Sequence, residues 1–148
     1  MSISQTATTS FKVQLLQGVH NFGPTSPNTF KIALYTAAAD LGATTTVYTT
    51  TGEVVSANYT AGGNVLVVST EPTSANNSAS VPTAFISFQS SSWTNVTFTC
   101  RGALIYNSTQ GNKSVAVLDF GSDKVVTSDN FQVTFPTPDS NSAIVRIS

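Results

Sequence analysis

Charge, sulfur and histidine are all scarce in this sequence, and each scarcity removes a class of function. Only 9% of the 148 residues are charged, against about 25% in ordinary soluble domains, so polarity rests on Ser, Thr and Asn. Such a surface is hydrated but has little electrostatic repulsion to keep copies apart, which suits a protein that works packed against neighbours. The formal net charge of −1 leaves no basic field for nucleic acid or anionic lipid. The single cysteine, Cys100, excludes an intramolecular disulfide framework and any thiolate zinc cluster. Its expected role is a small apolar side chain in a strand. No run approaches membrane-spanning length, and MSISQTATTSFKVQLLQ lacks the basic and apolar regions of a secretory leader. Synthesis in the cytoplasm without processing is the expectation.

Few titratable groups are available for catalysis. His20 is the only histidine, so a Ser-His-Asp arrangement would have to be built around it. At the end of a helix its imidazole has a simpler use, facing the C-terminal dipole. Asp119, Asp123 and Asp129 fall around turns without the spacing of a calcium loop. No carboxylate pair is singled out for glycoside hydrolysis, and no glycine-rich loop opens a helix to cradle phosphate. The expectation is a non-enzymatic protein without catalytic, cofactor or metal residues.

What is present is β pattern. The runs Ala103-Leu104-Ile105-Tyr106 and Val115-Ala116-Val117-Leu118 flank turn residues from Asn107 to Ser114, which reads as a hairpin. Asn95 to Cys100 reads as a third strand feeding into it. Phe30, Ile32 and Leu34 alternate with Lys31, Ala33 and Tyr35, the period of a half-buried strand. Gly121-Ser122-Asp123 and Ser128-Asp129 read as turns between further strands. In all, about nine or ten short strands point to a mainly β fold, an antiparallel sandwich or barrel-like meander, with one N-terminal amphipathic helix.

One domain over residues 1–148 is expected, with an extended arm or a poorly ordered end at 1–9, a helix at 10–22 and a β domain at 29–148. Ser10 is placed to cap the helix. Phe11, Leu15, Val19 and Phe22 form its apolar stripe, and Gly23-Pro24 ends it. The stretch EPTSANNSASV, Glu71 to Val81, is the least core-like and reads as a mobile or partner-facing loop. Five residues stand out as interface candidates. Phe11, Leu15 and Val19 could pack on a sheet or on a neighbouring copy. Arg101, set among apolar strands, needs an acid, with Asp119 of the facing strand or an acid of another subunit as partner. Trp93, with Tyr59 or Tyr106, could form a sugar-stacking platform or simply pack.

Five stretches carry a resemblance: SFKVQLLQGVHNF from Ser10, FKIALYTAAADLGATTTVYTTTGEV from Phe30, YTAGG from Tyr59, CRGALIYNSTQGNKSVAVLDFGSDK from Cys100, and the closing FQVTFPTPDSNSAIVRI. Together they cover most of the chain in order, departing mainly at Glu71 to Pro82 and the first residues. In these the chain resembles a family of small virion structural proteins of tailed bacteriophages, including cyanophages and related prophages. The resemblance implies a component of the phage particle present in many copies, and no catalytic or ligand residue accompanies it. The leading expectation is a protein that decorates or cements the capsid, bound to the major capsid protein and to copies of itself. A trimer would suit the three-fold and quasi-three-fold sites of a shell. The alternatives are a tail adaptor, baseplate or fibre-associated module, and a carbohydrate-binding β-sandwich for host attachment.

Overall fold

Backbone pairing organises most of the chain in the computed structural model, which describes residues 1–148. In order the elements are β1 (Thr6–Ala7), α1 (Thr9–Leu16), β2 (Phe30–Tyr35), β3 (Asn64–Leu66), β4 (Val68–Asn76), β5 (Pro82–Phe88), β6 (Ser91–Asn107), β7 (Lys113–Val133) and β8 (Val145–Ile147). They form a five-stranded sheet, order β1-β7-β6-β2-β3, and a three-stranded sheet, order β4-β5-β8. Every strand pair is antiparallel. The mainly β, sandwich-like fold with one short N-terminal helix is as expected.

The strands are fewer and longer than their turn signals suggest. β6 spans 17 residues and β7 spans 21, so Asn95 to Cys100 and Ala103 to Tyr106 belong to one strand. The turn residues of β7 make irregularities instead of chain reversals. Four residues, Phe120 to Asp123, face the single residue Arg101, and one extra residue is taken up around Ser128, where φ is +46°. A bulge accommodates positive φ without turning the strand back. The central hairpin itself is observed, with Leu104 opposite Val117 and Ile105 opposite Ala116.

Both faces of the large sheet are covered, which explains why its central strands read as continuous apolar runs. Phe30, Ile32, Leu34, Ala103 and Ile105 face the main core, with Ile86 and Phe88 of the small sheet. Ala33, Tyr35, Leu104, Tyr106 and Val117 face a second cluster with Ile3, Ala39 and Leu41. β2 is therefore buried on both faces beyond Lys31, not half-buried. The 1–9 segment closes this second face. Ile3 is 8% exposed, Ser4 N–H donates to the Leu41 carbonyl at 2.9 Å, and Thr6 and Ala7 pair with Val117 and Ala116. Of the two expectations for this segment, an extended arm or a poorly ordered end, it is extended in part and is stitched to its own chain.

The helix is shorter than its apolar spacing predicts. Thr8, not Ser10, is the N-cap, its hydroxyl accepting from Phe11 N–H at 3.3 Å. Gly18 ends the helix at φ +70°. Gly18 N–H bonds the Leu15 carbonyl and Val19 N–H the Gln14 carbonyl, the paired bonds of a Schellman motif. Glu71 to Val81 is also ordered differently from expectation. Its first half lies in the exposed edge strand β4, and Asn77 Oδ1 closes the turn by accepting from Ala79 and Val81 N–H.

Candidate functional site

The five interface candidates separate by burial. Phe11 is 2% exposed and packs edge-on to His20 and Phe22, because the helix lies on the main core by that side chain. It is a core residue, not a contact for a partner. Leu15 and Val19 are half-buried, and the exposed apolar side chains of the helix are Val13 and Leu16. Trp93 is 4% exposed, between Tyr59 and Phe131. Tyr59 and Tyr106 are buried as well. No aromatic face of this group is available to a sugar, which removes the proposed platform. Alternation along β6 turns Val96 and Phe98 inward, and the irregularity between Trp93 and Val96, with Asn95 at φ +51°, brings Trp93 to the same side.

Arg101 meets the acid anticipated for it. Its Nε donates to Asp119 Oδ1 at 2.9 Å, within the irregular part of the hairpin. The bond to Arg101 and the Gly121 N–H hold the Asp119 carboxyl below its ordinary range. The pair is intramolecular and solvent-accessible, a geometry of small energetic weight. Cys100 is buried in its strand, and desolvation pushes its thiol up to about 12.

His20 lies past the helix end in a polar network that fixes its tautomer. Asn107 Oδ1 accepts from Thr109 and Gln110 N–H, so its amide nitrogen is the atom that faces His20 Nδ1 at 3.0 Å and Asn28 Oδ1 at 2.8 Å. Nδ1 is thus an acceptor, and Nε2–H donates to Gln14 Oε1 at 2.8 Å. Burial, and then the charge of Lys113, lower the imidazole to about 4 from its ordinary 6.5. The ring is neutral instead of an imidazolium on the helix dipole. The unfolded chain takes up this proton first as pH falls, so the stabilisation is complete above pH 6.5 and is lost towards pH 4. A loss of about 2 kcal/mol is expected across that window, reduced by solvent screening because the ring borders an open cleft. Urea unfolding at several pH values checks this: His20→Gln should flatten the slope, and an unchanged slope would place its origin elsewhere.

A second cluster was not anticipated. Glu53 is 8% exposed and accepts from Tyr48 Oη at 2.6 Å, Tyr59 Oη at 2.8 Å and Gly62 N–H at 2.7 Å. Tyr106 Oη donates to the Gly62 carbonyl at 2.7 Å, and its ring stacks on Tyr48 at 4.8 Å. Burial, and then the Glu53 charge, push the Tyr106 hydroxyl up to about 12. The chemistry is that of a lock: a carboxylate with three donors gathers the loop from Tyr48 to Gly62 onto the large sheet. The available signal was local, since the two tyrosines lie five and six residues from Glu53. No group of three or more His, Cys, Asp or Glu side chains is placed to hold a metal ion. No helix is long and apolar enough to cross a membrane.

The open part of the surface is a seam between sheet edges. Two clefts of about 330 Å³ each share Leu15, Val145 and Ile147 as walls. The first is apolar, lined by Phe22, Phe85 and Ile86. The second lies between Ala7 of β1 and residues 144–148, with Lys12 and Arg146 on its rim. Comparison with models of known protein families, with curated proteins and with solved structures found no match.

Proposed function

We propose that the protein is a non-enzymatic structural component of a tailed-phage particle, seated on the capsid shell and stabilising it through protein–protein interfaces. The observation that carries this reading is the exposed apolar surface around the seam. Ile147, 56% exposed, lines both clefts, and Leu16 and Val13, 92% and 50% exposed, stand on the helix whose other residues wall them. Apolar side chains so placed on a weakly charged surface favour association. The resemblance to small virion proteins agrees with this. So does the engagement of Glu53, His20, Arg101 and Asp119 in bonds within the fold.

The mechanism is selective binding to the assembled lattice. A protein that binds the shell but not free subunits stabilises the shell by mass action, and repeated contacts make its loss cooperative. Its partners are the major capsid protein and further copies of itself, and a trimer fits the three-fold positions of a shell. The stitched N-terminal segment is not the contact in this reading; the seam is. Particles lacking the protein are expected to release DNA at lower temperature or lower ionic strength than complete particles, read by dye access during heating. Equal release from both would sink the cementing role.

A further inference from the structure

The seam is where unpaired backbone, exposed aliphatic side chains and cations outside any salt bridge occur together. β8 pairs with β5 alone, and no other backbone hydrogen bond reaches residues 144–148. Two other open edges carry devices that discourage pairing, while β1 and β3, of two and three residues, carry neither charge nor proline. β4 has Glu71, Pro72 and two register shifts, and the free length of β7 has Lys124, the excursion at Phe120 to Asp123 and the bulge at Ser128. Proline, charge and bulges of this kind blunt an edge. β8 has neither proline nor bulge, and its one charge, Arg146, stands over the second cleft.

The charged side chains around that cleft are both cationic. Lys12 and Arg146 line it, no Asp or Glu lines either cleft, and the one salt bridge of the chain is Arg101 with Asp119. Arg146 Nη1 donates only to the Asn141 carbonyl. We propose that the seam is a docking groove for an extended segment of a neighbouring virion protein. The segment adds a short strand to the free edge of β8. It seats an aliphatic side chain in the apolar cleft beside Phe22 and Ile86, and a carboxylate against Lys12 and Arg146. Main-chain pairing gives such contacts affinity, and the alternate side-chain pockets give them specificity. The proposal rests on the virion role above and names the chemistry of the partner.

The test uses the full chain, isotope-labelled for amide NMR, and two blocked peptides of about nine residues. Both alternate leucine with serine or threonine, and they carry glutamate or lysine at the same positions. The glutamate peptide is expected to shift the amides of Val145 to Ile147 with a Kd below about 1 mM, weakening with salt. Lys12→Glu with Arg146→Glu should weaken it at least about tenfold and admit the lysine peptide, while the dispersion of the remaining spectrum reports that the fold is intact. Equal binding of both peptides, shifts confined to β4 or β7, concentration-dependent shifts at β8 without peptide, or no shift at millimolar peptide would each overturn the groove. The assay contains no particles, so its failure leaves the virion role standing. Absence of the protein from particles would instead remove that role and leave the groove's charge preference measured.

Discussion

Gly63→Ala is expected to yield little or no folded protein. At Gly63 φ is +72°, and an added Cβ would lie 1.8 Å from the Ile32 carbonyl oxygen and 2.6 Å from its carbon. Both atoms belong to β2, held between β6 and β3 in the two-faced sheet, so neither can retreat without breaking its pairing. A loss above about 4 kcal/mol follows, a large share of the stability of a domain this size. Gly121 is the control. Its φ is +77°, but nothing lies within 4 Å of the added Cβ, so Gly121→Ala should cost only about 1 kcal/mol through backbone strain. Soluble yield and thermal unfolding of the two variants measure the difference. Equal Tm values would show that the 60–63 turn moves freely against β2.

Glu53→Ala should be the next most damaging change, at about 3–5 kcal/mol. It strands the buried Tyr59 hydroxyl and Gly62 N–H and frees the part-buried Tyr48 hydroxyl, and each buried donor left without a partner costs about 1–3 kcal/mol. Glu53→Gln keeps one acceptor oxygen and the same volume, and should lose about half as much. Near-ultraviolet circular dichroism follows the lock directly, because Tyr48 and Tyr106 stack only while the loop is held. A Glu53→Ala variant within about 1 kcal/mol of the parent would mean that water replaces the carboxylate.

These two sites differ in how far the sequence discloses them. Gly62-Gly63 announces a turn with positive φ, and such a turn is present; the close approach to Ile32 that makes Gly63 irreplaceable is a tertiary fact. The β6–β7 hairpin and the Arg101–Asp119 pair are legible because both depend on near-neighbour register, and the hairpin turn sets that register. The helix end is misjudged because Phe22 keeps its apolar spacing beyond Gly18, yet reaches the core from a loop, stacked on Phe30 at 4.2 Å. The same cause leaves open in the sequence whether Trp93 packs or faces a partner, and hides the role of Glu53. An aromatic ring or a carboxylate carries no local sign of which sheet will cover it, and the cover comes from residues dozens of positions away or from a loop fold that spacing does not specify. The seam is illegible for a related cause, because it forms where β1 and β8, from opposite ends of the chain, stop short of meeting.

The proposed role is that of a β scaffold whose outward contacts are left to an apolar seam and which works as part of a capsid shell. Quantitative mass spectrometry of purified particles tests that role most directly. This chain is expected in numbers comparable with those of the major capsid protein. A few copies, matching the symmetry of a tail, or none at all, would contradict it.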